Sequence, residues 1–185
     1  GQGWGPANLN KSVGIWNTAE GKDNDQTVIA DFEKDTKIDV MRAGQVYTTV
    51  SGGKTNPQYN AKIHGNKLYI NLRDGVKTTV AYKKEKYLYS FGGEVAGGAA
   101  SGGDIRGNHV YIKGTITDPK QHDKAGVLET GLIVGGTYNV ASKTNRVEQV
   151  IAENVVEIDD AKITKSDESL GSAIFGGYIY LTASN

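Results

Sequence analysis

A short motif returns along this chain at nearly constant spacing, and a period of this size restricts the fold before any single residue is interpreted. Phe91-Gly92-Gly93 is followed, after a glycine-rich spacer, by Gly107-Asn108-His109-Val110-Tyr111-Ile112. Gly52-Gly53 leads in the same way to Gly65-Asn66-Lys67-Leu68-Tyr69-Ile70, and Gly135-Gly136 to Glu153-Asn154-Val155-Val156-Glu157-Ile158. A further pair, Gly176-Gly177, lies near the end. The pairs start at Gly52, Gly92, Gly135 and Gly176, and the asparagines stand at Asn66, Asn108 and Asn154, so two markers keep nearly one period.

After each Asn the parity is constant. Leu68 and Ile70, Val110 and Ile112, Val156 and Ile158 fall on one face, with Lys67 and Tyr69, His109 and Tyr111, Val155 and Glu157 on the other. Strands stacked over a single narrow core need this alternation. The glycine pairs read as corners, because glycine reaches positive φ and permits close backbone approach. Each Asn reads either as a turn residue bonding its own backbone or as one rung of an amide ladder running through stacked copies. Ahead of the repeats, Ser12 to Trp16, Thr27 to Phe32, Lys37 to Arg42 and Gln45 to Val50 are candidate strands. The polar stretch Asn17 to Gln26 separates the first two. Val147 to Ala152 has the best helical spacing but is too short to stand alone, so strand is expected there too.

A period near 40 residues admits a four-stranded propeller blade or two coils of a parallel β-helix at about 20 residues each. Blades need tight hairpins, and Asp74-Gly75 is the only convincing two-residue hairpin signal in the repeats. A propeller must also close on itself, whereas a solenoid can be cut anywhere. The expected fold is all-β, a parallel right-handed β-helix built from repeats of about 40–43 residues, with a β-propeller-like fragment as the alternative. Residues 1–44 form a β-rich start or cap, and residues 45–185 the solenoid, with units beginning near Gly52, Gly92, Gly135 and Gly176. Loops such as Asp118 to Ala125 and Ser142 to Arg146 would project from its corners. Gly1-Gln2-Gly3 reads more as a remnant or a cut inside a longer protein than as a native start.

The pattern Phe91-Gly92-Gly93 through Gly107-Asn108-His109-Val110-Tyr111-Ile112 resembles the repeats in passenger regions of bacterial autotransporter adhesins. Ile174-Phe175-Gly176-Gly177-Tyr178 is similar to the start of another such repeat, and the likeness covers roughly residues 45–180. The resemblance implies a right-handed β-helix displayed on a Gram-negative surface or secreted, exported through an outer-membrane barrel of the full protein. It also implies a non-enzymatic structural or adhesive role, meeting a host-cell or bacterial surface protein or glycan.

Composition narrows the partners. Basic and acidic side chains number 21 each, so no positive field collects nucleic acid or acidic membranes. No apolar run is long enough to insert this segment in a membrane as a helix. Cysteine is absent, which excludes disulfides and thiolate metal sites. Ten tyrosines among few other aromatics suit half-wet strand faces. A monomer is expected.

Candidate chemistry is sparse. Asp159-Asp160 is the one carboxylate pair that a glycan-degrading β-helix (lyase or hydrolase) would use, although strand neighbours point to opposite faces unless a bulge intervenes. His64, His109 and His122 lack metal-ligand spacing and have no nucleophilic Ser at motif distance. Ser101-Gly102-Gly103-Asp104-Ile105 is a single fragment of a calcium-binding nonapeptide and reads as a turn. Gly97 to Gly103 lacks the Lys of a phosphate loop, and Tyr82 to Tyr87 reads as a solvated strand face. No catalytic, cofactor-binding or metal residue is therefore assigned and no cofactor is expected. A phage or viral fibre segment, which would be a trimer, is a further alternative.

Overall fold

The computed structural model describes residues 25–46, 48–51, 54–57, 61–81, 93–100, 102–114, 120, 124–140, 150–166 and 172–181. Ser12 to Trp16, the first two glycine pairs except Gly93, His122, Ser142 to Arg146, Tyr82 to Tyr87 and most of Asp118 to Ala125 lie outside the described residues.

The described chain winds through parallel strands into a β-solenoid. A broad front sheet stacks β1 (Thr27–Asp31), β7 (Lys67–Leu72), β11 (His109–Gly114) and β15 (Val155–Asp159). A broad back sheet stacks β3 (Val40–Val46), β9 (Glu94–Ala100), β13 (Leu132–Val140) and β17 (Ala173–Leu181). Two short sheets close the sides: β2 (Thr36–Ile38), β8 (Lys77–Val80), β12 (Val127–Thr130) and β16 (Lys162–Thr164) on one, β6 (Ala61–His64), β10 (Gly103–Arg106) and β14 (Val150–Ala152) on the other. A hairpin of β4 (Thr48–Ser51) and β5 (Lys54–Pro57) is the antiparallel pair among the described strands.

Registers set the coil length. Thr27 pairs with Lys67, Lys67 with His109 and His109 with Val155, so one repeat makes one coil of four strands. The expectation of two coils per repeat is corrected here. Strands such as Thr36–Ile38 and Lys77–Val80 add a side to each coil without a marker of their own. The run Lys37 to Arg42, read as one strand, turns a corner at Asp39 between two sheets. Val150–Ala152 is a strand, as its length suggested.

Alternation puts Leu68, Ile70, Leu72, Val110 and Ile112 inside, facing Met41, Val95 and Ile133 of the back sheet in one continuous core. Each Leu or Ile so buried contributes about 1.5–3 kcal/mol relative to exposure. The core is covered at its first coil, where Val28, Ala30, Ile38 and Met41 are buried, and uncovered at its last, where Ile158 and Ile174 are exposed.

The asparagines form a ladder at the corner before the front sheet. Asn66 Nδ2 donates to Asn108 Oδ1 and Asn108 Nδ2 to Asn154 Oδ1, both at 2.8 Å. The backbone N–H groups of Asn66 and Asn108 donate to the same two oxygens at 3.0 Å. The left-handed conformation belongs to the residue before each rung: φ is +34 at Asp25, +67 at Gly65 and Gly107, and +60 at Glu153. Two of the glycine pairs read as corners, Gly135-Gly136 and Gly176-Gly177, are not corners. Gly97-Gly98, Gly135-Gly136 and Gly176-Gly177 lie inside β9, β13 and β17, and the equivalent position of β3 is Ala43-Gly44. A Cβ on Gly44, Gly98 or Gly136 would come within 2.5–2.7 Å of the Asn66, Asn108 or Asn154 carboxamide. Glycine stands there because the ladder occupies the space a side chain would need.

Candidate interaction face

The outward side chains of the front sheet form three rows across the stack: Thr27, Lys67, His109 and Val155; Ile29, Tyr69, Tyr111 and Glu157; Asp31, Asn71, Lys113 and Asp159. Strands about 4.8 Å apart give such a strip a length of about 14 Å from first to fourth. Its middle row is apolar and aromatic over its first three members and ends in Glu157. Tyr69 and Tyr111 stack with ring centroids 4.8 Å apart and planes 9° from parallel, and Ile29 beyond them is 59% exposed. The His109 ring lies 5.3 Å from Tyr111, with Nδ1 2.7 Å from the Tyr111 hydroxyl in a hydrogen bond whose donor is set by the imidazole tautomer. Burial, then the Glu157 carboxylate and Tyr69, push the Tyr111 phenol above its ordinary range, so it keeps its proton at neutral pH. An aromatic centre flanked by amines, amides and carboxylates can meet apolar ring faces and hydroxyl groups together.

Around the corner, the short sheet carries a charged cluster. His64 Nε2 is 3.3 Å from Asp104 Oδ2, Arg106 Nε is 3.3 Å from Asp104 Oδ1, and Arg106 Nη1 is 3.8 Å from Glu153. Asp104 thus faces two cationic or cation-forming groups, which disfavours a metal ion at the fragment read for calcium. At the far edge of the front sheet, Arg73 donates to Asp31 at 2.7 and 3.3 Å, and this guanidinium holds the Asp31 carboxyl below the ordinary aspartate range. Asp39, at its corner, is pushed the other way by burial, with Lys37 opposing.

The carboxylate pair resolves into a corner. Asp159 ends β15, while Asp160 turns the chain with φ +49, its carbonyl oxygen packed where a Cβ on Gly114 would fall. Both are exposed. His64 and His109 sit on different sheets and are not brought together. Among the described residues no group of three or more His, Asp or Glu side chains could hold a metal ion. The Tyr69–Tyr111 stack escapes a reading of either strand alone. Its sequence signal is a tyrosine in the same place after Gly-Asn in two successive repeats. Comparison with protein-family models, with curated proteins and with solved structures finds no match.

Proposed function

We propose that this chain is a non-enzymatic structural and adhesive segment of a surface-displayed passenger region of the bacterial autotransporter kind, presenting contact groups from a rigid β-solenoid to a surface protein or glycan. The observation that carries the reading is structural repetition without repeated chemistry. The inward residues recur from coil to coil as Leu68, Val110 and Val156, while the outward row changes from Ile29 through Tyr69 and Tyr111 to Glu157. A rod that repeats its inside and varies its outside is suited to display.

The test is binding of fluorescently labelled protein to bacterial and animal cells and to an arrayed panel of glycans, with the Tyr69→Ala/Tyr111→Ala double variant alongside. Saturable binding that drops about tenfold in the double variant is expected, the scale of losing two aromatic contacts. No binding by the unaltered protein would refute the adhesive role. Release of sugar ends from acidic polysaccharide, abolished by Asp160→Asn, would replace it with the glycan-degrading alternative.

A further inference from the structure

Cysteine is absent, so no disulfide ties one coil to the next. The front sheet holds a different pair of groups that can be joined. Tyr69 and Tyr111 stand directly opposite each other in the parallel register of β7 and β11, with ring centroids 4.8 Å apart and planes 9° from parallel. That separation matches the roughly 4.8 Å spacing of neighbouring strands, so both side chains leave the sheet in the same direction and neither has to reach for the other. Both rings are half-buried, so small reagents reach them. We propose that Tyr69 and Tyr111 form an oxidative coupling site, at which a carbon–carbon bond ortho to the two hydroxyls clips successive coils together.

Three observations single out this pair. Among the described strand registers it alone sets tyrosine opposite tyrosine: Tyr138 lies opposite Ala100 and Ile179, Tyr178 opposite Thr137, and Tyr180 opposite Asn139. The Tyr111 hydroxyl also has a proton acceptor. His109 Nδ1 lies 2.7 Å away, and with the imidazole proton on Nε2 it takes the phenol proton as the electron leaves. Burial keeps Tyr111 in its phenol form at neutral pH, so that acceptor is needed. The third observation concerns groups that would intercept a radical: thiols are absent, and the single methionine, Met41, is buried in the core. In the coupling each phenol gives one electron and one proton to a one-electron oxidant, of the kind a haem peroxidase makes from hydrogen peroxide. The peroxide gains both electrons and both protons and becomes two molecules of water. The phenoxyl radicals join through their ortho carbons, and the hydrogen on each of those carbons shifts to oxygen as the rings regain aromaticity. The product is lighter than the two separate rings by two hydrogen atoms.

This coupling concerns the two rings alone and does not rest on the adhesive reading. To test it, the whole chain at low concentration is treated with hydrogen peroxide and a haem peroxidase, then unfolded and cut with trypsin. Cleavage releases Tyr69 in residues 68–73 and Tyr111 in residues 107–113, each with a single tyrosine, so the mass of a joined peptide identifies both partners. The expected result is dityrosine fluorescence, a chain that keeps its single-chain size under denaturing conditions, this joined peptide as the main coupled product, and a yield unchanged by dilution. Tyr69→Phe, which preserves the ring and loses only the hydroxyl, should remove the joined peptide. His109→Phe keeps a flat ring beside Tyr111 without the acceptor and should slow coupling about tenfold, less than the ~10²-fold of an enclosed base because water reaches a half-buried phenol. The coupled chain should unfold at higher urea than the untreated one, because the new bond closes the loop from Tyr69 to Tyr111 in the unfolded state. Coupling only between different chains, other tyrosines joining as fast, or no coupled product would overturn the proposal. A His109→Phe rate equal to the parent's would overturn the role of His109.

Discussion

Replacing Asn108 by alanine tests the ladder at its middle rung. The carboxamide is fully buried and makes four hydrogen bonds: Oδ1 accepts from Asn66 N and Asn66 Nδ2, and Nδ2 donates to Ile63 O and Asn154 Oδ1. At a net 0.5–1.5 kcal/mol for each bond the loss is about 2–6 kcal/mol, and the orphaned Ile63 carbonyl and Asn66 N–H push it toward the upper half. About 4 kcal/mol is the working figure, a large fraction of the 5–15 kcal/mol that stabilises an ordinary domain. Asn154→Ala removes acceptors from Asn108 N and Nδ2 and a donor to Ile105 O, but the site is only half-buried and water can substitute. Its cost should be about half as large. Urea unfolding followed by circular dichroism and by tyrosine fluorescence reads both variants. Coincident transitions would license the comparison, since repeat arrays can unravel in parts. An Asn108→Ala cost below about 1 kcal/mol, or equal costs at the two rungs, would refute the claim that buried amide bonding holds the corner.

The corner residue before each rung gives a pair of opposite expectations. Gly107→Ala, at φ +67, should destabilise by about 1 kcal/mol, and Glu153→Gly, at φ +60, should stabilise by a similar amount because a side chain is already strained there. Loss of the long, exposed contact from Glu153 to Arg106 at 3.8 Å would offset little of that gain. Thermal unfolding at low protein concentration measures both, and a destabilising Glu153→Gly would contradict the strain argument. For acid sensitivity, the Asp31 carboxyl is depressed in the folded state by Arg73, so its contribution is present above the unfolded pKa and lost as pH falls through the folded one. Asp31→Asn should therefore cost up to about 1 kcal/mol near neutrality, the range of an exposed pair, and progressively less as pH falls through the depressed folded pKa. Asp39 has the opposite sign: burial raises its folded pKa, its contribution is lost as pH rises through that value, and Asp39→Asn should stabilise at neutral pH. Urea titrations across acid pH would show both slopes, and parallel profiles for variants and parent would count against each assignment.

The alternation of Leu68, Ile70, Val110 and Ile112 could be read directly, because a strand face is a local property with a period of two. So could the asparagine rungs, as identical residues at matching offsets. Coil length could not, because β2 and β8 are short and Thr-bearing and announce no side of their own. The glycine pairs misled for a different reason. Gly92-Gly93 keeps the period, yet Gly97-Gly98 holds the place of Gly135-Gly136, and only the facing Asn108 distinguishes them. What a glycine must avoid is set by a strand elsewhere in the coil. Pairs between coils remain hidden for the same reason. Arg42 Nη2 donates to buried Glu94 at 2.6 Å from a different coil, where the neighbours of Glu94 in the stack are Val40 and Leu132. Register must be known before such a pair can be seen.

Left-handed residue, asparagine and mid-strand glycine act as one device, and this accounts for the drift in the period. Each glycine faces the asparagine that follows it in the chain: Gly44 with Asn66, Gly98 with Asn108, Gly136 with Asn154. The contact is the same in each coil, although the chain between glycine and asparagine is longest in the first and shortest in the second. The first interval contains the β4–β5 hairpin, the second passes almost directly from Ala100 to Gly103, and the third includes positions 141–149. Length is therefore inserted between the back sheet and the short sheet beside it without disturbing the rung, because the hydrogen bonds that define the corner join residues that follow the insertion in each coil and only the glycine contact precedes it. A second tolerant place lies between β8 and β9, where positions 81–93 separate the strands, while β2 and β3 are separated by Asp39 alone. Both places border the back sheet; a third, positions 115–126 between β11 and β12 against 73–76 between β7 and β8, borders the front sheet at the edge away from its asparagine corner. Changes of loop length can therefore alter what the solenoid presents along the back-sheet edges and the far edge of the front sheet, while the asparagine corner keeps its frame and Ile29, Tyr69 and Tyr111 vary by substitution.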